Sequence, residues 1–553
     1  MEPSLSFETR QANLKWLAAE SVDLLVIGGG ITGAGIARDA AMRGISTALI
    51  DKSDFGSGTS SISSRLVHGG LRYLEHRHWR LVFEASHERR VLLRIAPHLV
   101  WPRSFIFPIH EGCRVNRWTL TAGLWLYDLL AAFRNVRRHQ MLGKRGIRRA
   151  EPLIRERGLQ GGARYYDAQC DDARLTLANV RDAHRHGAKV SNYAAVERLE
   201  LADGVVRGAH VVDLVSGDEF SIRAHVVVNA TGPWTDQVAG VDPPATLHTT
   251  KGAHVLVPRS RIGNHEAVTM ISPIDERVLF AVPWGDFTYL GTTETETDGS
   301  PDEIVVTAED VVYLLRTANA FFPEARLTPA DVVATWAGVR PLLKAGDDPN
   351  KASREHRIWA DERGLLTIAG GKLTTYRRMA AQMADQVAAR LHHIDGRPIQ
   401  PRARTDRHPL PGGETGELEI LIAAAENEGL SHDTAAHYVR THGSETPAVV
   451  RLAQSNLRWT KPVVENLPTT WAQLIYAMRR EMALTLGDLL VRRSHIFYEA
   501  PDHGLGNLAE IVDVAAEEMG WDEDRQRAEV AAYHEFVRRN EAFREELDES
   551  ALD

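Results

Sequence analysis

The sequence predicts an α/β protein: a parallel, doubly wound sheet domain built from separated segments, a mixed, largely antiparallel sheet capping it, and a helical C-terminal domain. Three observations predict this. A strand, a glycine turn, a helix and a second strand follow one another over residues 22–51. Two more strands that stop at small residues recur far downstream, at 224–228 and 365–369. Beyond residue 413 strand signals nearly vanish and helical patterns take over.

Taken in order, Val22-Asp23-Leu24-Leu25-Val26-Ile27 is a short apolar run of the kind buried in a parallel sheet. Gly28-Gly29-Gly30-Ile31-Thr32-Gly33 follows at once, then a helical pattern over 34–42 closed by Gly44, then a strand over 46–50 ending in Asp51. Gly28 permits the tight turn, Gly30 lets backbone approach a pyrophosphate, and Gly33 lets helix and strand pack closely. The helix N-terminus offers unpaired N–H groups to phosphates. Asp51, 23 residues after Gly28, stands where a carboxylate can accept ribose hydroxyls. This is a Rossmann-like dinucleotide site, open at this level to NAD or FAD. Two segments tip it toward FAD: Asn229-Ala230-Thr231-Gly232-Pro233-Trp234, and Gly370-Gly371-Lys372-Leu373-Thr374-Thr375-Tyr376, which enters a helix over 377–391. A helix N-terminus beside a small-residue strand end suits a flavin ring, because its N–H groups can hold negative charge.

The chain has 553 residues, a quarter of them charged and 43% hydrophobic, which is ordinary globular composition. A net charge of −9 argues against nucleic-acid binding. Two cysteines, Cys113 and Cys170, exclude a disulfide framework and a four-cysteine zinc site, and fit a reducing cytosol. His76 and His78 flank no further ligand cluster, so no metal is expected. Residues 1–21 lack a secretory pattern, and no run reaches the ~18 apolar residues of a spanning helix.

Ser63-Ser64-Arg65-Leu66-Val67-His68-Gly69-Gly70-Leu71-Arg72-Tyr73-Leu74-Glu75 gathers a histidine, a glycine pair and an arginine. His68 could accept a proton near neutral pH, Arg72 could fork an anion, and Gly69-Gly70 would admit a ring close to the backbone. On spacing alone, a surface or hydrogen-bonded histidine is the better reading of His68. This segment resembles the FAD-dependent, aerobic, quinone-linked glycerol-3-phosphate dehydrogenases, as do the glycine turn, Asp171-Asp172-Ala173-Arg174-Leu175, Asn229 to Trp234, Gly338-Val339-Arg340-Pro341-Leu342 and Gly370 to Arg377, in the family's order. The family often has lysine where Arg65 stands and glutamate where Asp51 stands; both departures keep the charge.

The resemblance implies oxidation of sn-glycerol 3-phosphate at C2 to dihydroxyacetone phosphate, with hydride passing to FAD N5 and electrons to a membrane quinone. Carried over by motif position, His68, Arg340 and Lys372 are the catalytic candidates, and Arg72, Tyr73, Arg340 and Lys372 the substrate ligands. Bottom-up logic agrees: a phosphate dianion needs at least two fixed cations, and loss of a hydride goes with removal of the hydroxyl proton. The candidate cofactor contacts are Gly28, Gly30, Thr32, Gly33, Asp51, Thr59, Ser60, Ser64, Gly69, Thr231, Gly232, Gly371, Lys372, Leu373 and Thr374. An oxidase that reduces oxygen to peroxide, an amino-acid oxidase of the same superfamily and a non-catalytic FAD-binding escort are the competing readings.

The expected organisation is an FAD-binding domain over 20–95, 165–245 and 335–391, a substrate cap over 96–164 and 246–334, a Pro/Gly-rich linker over 392–413, and a helical domain over 414–553 that is open to dimerisation or docking roles. A long amphipathic run is expected at 472–491. Apolar residues 118–133 flanked by arginines up to Arg149 are either a buried helix beside a basic loop or a peripheral contact with the inner face of the cytoplasmic membrane.

Overall fold

The computed structural model describes residues 4–70, 79–131, 135–240, 247–297, 299–344 and 355–547. Its first sheet runs in the order His356–Ala360, Leu366–Gly370, Glu219–Asn229, Val22–Ile27, Thr47–Ile50, Lys189–Ser191. All neighbours are parallel except the first pair. Beyond Asp23 at its edge, the run at 24–27 has no polar face because both of its faces are covered. Leu24 and Val26 pack under Ile36, Ala37, Ala40, Met383 and Val387. Leu25 and Ile27 pack under Leu14, Leu17, Val211 and Ile222. Alternate side chains of a strand point to opposite faces, so a doubly covered strand must be apolar throughout.

The helix Ile31–Met42 lies between Asp172–Arg185 and Tyr376–Asp395. Its small residues permit that crowding: a Cβ at Gly35 would sit 3.0 Å from the Tyr376 ring and 3.1 Å from the Ala380 Cβ.

The second sheet is mixed and largely antiparallel. It runs Thr295–Glu296, Leu247–Pro258, Phe287–Gly291, Val278–Trp284, Ala267–Ile271, Val100–His110, Leu159–Cys170, Leu66–Val67, with Ala334–Leu343 and Gln140–Leu142 on side branches. The helix Ala308–Phe321, started by a Thr307/Asp310 capping box, covers one face. Of this sheet's strands, 66–67 and nearly all of 334–343 lie in segments expected to belong to the FAD-binding domain, and 159–170 straddles the expected cap and FAD-binding segments. Residues of all three strands, Leu66, Tyr165 and Arg340 among them, line the cavity between the sheets.

The helical region packs on both sheets. Leu489, Phe497 and Tyr498 share a core with Phe105, Tyr289 and Trp336. Buried ion pairs fasten it: Arg492 and Arg493 on Asp54 at 2.6 and 2.7 Å, and Arg174 on Glu481 at 2.5 Å. Burial raises the Asp54 pKa, but the guanidiniums of Arg493 and Arg492 outweigh it and hold the group down at about 2. The run expected to be continuous at 472–491 is broken. The helix Trp471–Arg480 ends where Glu481 turns to Arg174 and Met482 takes φ +52°, and a π-helix resumes at Asp488–Arg493. Ion-pair geometry overrides local helix propensity here. The helix Tyr376–Asp395 consumes the first residues of the expected linker, and Leu410 is fully buried.

Candidate active site

One cavity of about 900 Å³ lies between the sheets and extends to the helical region. At one end is the glycine turn. Gly28 has φ +104°, and a Cβ on Gly33 would stand 1.8 Å from the Gly28 carbonyl oxygen, so neither position admits a side chain. Gly30 precedes the helix without a side-chain cap, and the Ile31 N–H donates to Ser60 Oγ at 2.9 Å. Gly28, Gly30, Thr32, Asp51, Thr59 and Ser60 all line the cavity. Gly33 acts from behind it, as a spacer.

Asp51 accepts the Gly29 N–H at 2.6 Å and the Ser53 N–H at 2.8 Å. Burial pushes its pKa up to about 6, against those two bonds. Thr59 Oγ1 donates to the Val339 carbonyl at 2.6 Å, tying the loop to the strand that carries Arg340. Asn229, fully buried, accepts from both Thr231 N–H and Oγ1, which fixes the turn at Thr231 and Gly232.

At the other end the strand Leu366–Gly370 stops, and Gly371, Lys372, Leu373 and Thr374 face the cavity before the helix Tyr376–Asp395. His68 also lines it, and its N–H donates to Thr374 Oγ1 at 3.2 Å. Arg340 reaches in from the second sheet, donating to Thr292 Oγ1 at 2.9 Å and Thr293 O at 3.3 Å. The structure thus brings His68, Arg340, Lys372 and Ser64 to one cavity. Arg72 and Tyr73 lie outside the described residues.

Gly69 departs from expectation. Its N–H donates to the Tyr127 hydroxyl at 2.9 Å and to Asp167 at 3.2 Å, and a Cβ there would meet Tyr127 Oη at 2.3 Å. It makes room for a buried Arg89–Tyr127–Asp167 cluster. Its neighbour Gly70 is the one that lines the cavity.

Sequence reasoning missed His254. It is 2% exposed, its Nε2 lies 2.9 Å from Ser64 Oγ, and its ring stacks on Trp336 at 5.0 Å. Burial lowers its pKa well below the ordinary histidine value, and the charges of Arg340 and Arg65 lower it further, so it is neutral at pH 7. Its neighbour on the same strand face is Gly252, where a Cβ would collide with the Arg340 guanidinium at 2.3 Å. A glycine two positions before a histidine on a strand was the available signal, since such residues share a face.

The residues fit FAD. A helix N-terminus and the Asp51 carboxylate stand at one end of the cavity, a second helix N-terminus at the other, and the volume between is that of a large ligand site. Gly28, Gly30, Thr32, Asp51, Thr59 and Ser60 would hold the dinucleotide, and residues 371–374 the flavin end.

Known proteins agree. Residues 23–377 match the family model of FAD dependent oxidoreductases, and residues 403–526 that of the C-terminal domain of alpha-glycerophosphate oxidase. The aerobic glycerol-3-phosphate dehydrogenase of Staphylococcus epidermidis is 36% identical over 539 residues, covering 95% of this chain and 96% of that protein. The Staphylococcus aureus enzyme of the same name is 36% identical over 546 residues, 97% of each chain. The solved structure of the Bacillus halodurans glycerol-3-phosphate dehydrogenase complexed with FAD superposes with a TM-score of 0.81 at 31% identity, over 97% of this chain and 98% of that one. The FAD-bound L-alpha-glycerophosphate oxidase of Mycoplasma pneumoniae shares the fold, with a TM-score of 0.56 at 16% identity over 71% of this chain and 99% of that one. The chain belongs to the FAD-dependent glycerol-3-phosphate dehydrogenase and oxidase family, and FAD is its cofactor.

Proposed function

We propose that this protein oxidises sn-glycerol 3-phosphate at C2 to dihydroxyacetone phosphate and passes the electrons to a membrane quinone. The observation that carries the reading is one cavity joining the dinucleotide turn to His68, Arg340 and Lys372. Bound FAD supplies the acceptor for the C2 hydride. Arg340 and Lys372 bind and orient the phosphate and the developing oxyanion, with Arg72 and Tyr73 assigned by motif to the same task. Arg340 is held in place by Thr292 and Thr293, so its guanidinium keeps one direction. His68 takes the C2 hydroxyl proton, which spares the protein a protonated ketone. His254, kept neutral, holds the Ser64 hydroxyl beside it.

The quinone reading draws support from the helix Arg117–Leu130. Leu120, Leu124 and Tyr127 are buried on one side; Trp118, Trp125 and Leu129 are 84%, 52% and 58% exposed on the opposite side. Trp79 and Phe83 are exposed on the helix Trp79–Ile95, which packs against it through Val82. Arg114, Arg117, Arg137 and Arg138 are exposed nearby in sequence. An apolar aromatic stripe with arginines beside it suits an anionic bilayer surface. No helix among the described residues is long and apolar enough to cross a membrane.

Anaerobic addition of glycerol 3-phosphate should bleach the flavin; an unbleached flavin rejects the reaction and leaves the escort reading. The reduced enzyme should then react faster with a soluble quinone than with oxygen. The reverse order would make it an oxidase. Replacing Trp118 and Trp125 by serine should weaken binding to anionic liposomes, and unchanged binding would remove the docking face.

A further inference from the structure

Arg65 is a buried cation that touches no carboxylate closely among the described residues. It is 2% exposed, and its Nε lies 3.9 Å from the Asp172 carboxylate. Aromatic faces surround it instead. Its guanidinium carbon lies 3.8 Å from the centre of the Trp284 ring, 4.9 Å from that of Tyr498 and 5.1 Å from that of Trp336. The three rings pack on one another, Trp336 edge-on to both Trp284 and Tyr498. They come from three places: one strand of the second sheet, another strand of that sheet, and the short helix Ile496–Glu499 of the C-terminal region.

The backbone at Arg65 has φ +52°, a region that side chains other than glycine avoid unless their surroundings over-determine them. The surroundings here do. Ser63 donates through N–H and Oγ to Asp172, and its carbonyl accepts Trp336 Nε1–H at 3.0 Å. The Ser64 carbonyl accepts the Tyr289 hydroxyl at 2.9 Å. The Arg65 carbonyl accepts the Cys170 N–H at 2.9 Å. Leu66 and Val67 then pair with residues 168–169, and His68 follows. The caged residue thus stands one position after Ser64 and three before His68, and Trp336 stacks on the cage side of His254.

We propose that Arg65 and its aromatic cage are a positioning device for the active site, setting the backbone that aims His68 and Ser64, and that Tyr498 is the contribution of the C-terminal region to catalysis. The proposal deepens the reading of His68 as base and rests on it. A cation among three rings is held by attraction to their faces, and the guanidinium also donates a hydrogen bond to the Tyr498 hydroxyl; the strained backbone then has one way to run. A residue that only filled space would cost stability when replaced and leave the folded enzyme's rate alone.

The test uses the holoenzyme with Arg65→Met, Arg65→Lys and Tyr498→Leu. With FAD retained, Arg65→Met should lower the saturating anaerobic rate of flavin reduction by about 10²-fold, the loss expected when a base is misplaced by an ångström. Half-saturation should move by less than about threefold, since Arg340 and Lys372 are untouched. Arg65→Lys should recover about tenfold of the loss, because an ammonium also binds ring faces. Tyr498→Leu should fall between. Hydrogen exchange in a peptide spanning 63–70 should quicken in Arg65→Met while residues 22–27 stay protected. A lowered melting temperature with a wild-type saturating rate, or unchanged exchange at 63–70, overturns the proposal. If Arg65→Met does not fold, a wild-type rate in Tyr498→Leu does so equally. A wild-type enzyme that glycerol 3-phosphate cannot bleach counts against the proposed function instead, and the exchange measurement then still judges Arg65.

Discussion

The two ends of the cavity are built by opposite means. The dinucleotide end, residues 22–60, is one contiguous stretch of chain that presents mostly backbone: a glycine turn, a helix start whose N-cap is a glycine, and Asp51 beside them. The substrate end is made of side chains from four distant places, His68, His254, Arg340 and Lys372, each on a different strand or turn. Backbone recognition needs the right local geometry, whereas side-chain recognition needs the whole fold to have been assembled first. A lesion at the first end should therefore cost cofactor and fold; one at the second should cost rate or substrate affinity and spare the fold.

The largest effect expected is at the turn. Gly33→Val forces a side chain into the Gly28 carbonyl, and should destabilise the protein by about 3 kcal/mol and leave it colourless, as thermal melts and the visible spectrum would show. Gly30→Val faces only Ser60 Oγ at 3.1 Å, so it should lose FAD while keeping most of its melting temperature; a yellow, fully loaded variant would break the comparison. Next comes His68→Ala, for which stopped-flow should record flavin reduction slowed by about 10²–10⁴-fold with FAD still bound. Arg340→Ala should raise KM for glycerol 3-phosphate by about 10–100-fold and leave that for glycerol nearly unmoved, as steady-state kinetics with the two substrates would read.

The smallest effect is a pH dependence. On the proposed reading Asp51 accepts ribose hydroxyls, far more strongly when ionised than when protonated, and burial raises its pKa to about 6 in the free protein. Reconstitution of the apoprotein should therefore hold affinity above pH 6 and lose about tenfold per unit below it. A raised carboxylate pKa means that the group stabilises the folded apoprotein at low pH, and that this contribution is lost as pH rises through 6. Cofactor affinity and apoprotein stability should thus move in opposite directions. Asp51→Asn should flatten both, and a profile that stays sloped would assign the titration elsewhere.

Legibility in the sequence followed the same division. The strand at 22–27, the turn and Asp51 could be read residue by residue, and each stands where local geometry alone would put it. Gly69 misled, because a glycine that admits a ligand and one that admits a neighbouring tyrosine look the same along the chain. His254 stayed hidden because its meaning comes from Ser64 and Trp336, 190 residues before it and 82 after it in the sequence. The broken run at 472–491 was unreadable for a related reason: the partner that stops the helix, Arg174, sits about 300 residues away.

What the sequence determined by itself, then, was the α/β class, the dinucleotide turn with its acid, and the family, because these rest on spacing within short stretches where chain geometry leaves little choice. Only the tertiary structure decided which cations share a cavity, which histidine is buried neutral beside Ser64, and that Arg65 and Tyr498 meet at all. Those facts depend on packing between segments hundreds of residues apart, and local spacing carries no information about which distant surfaces will close on one another.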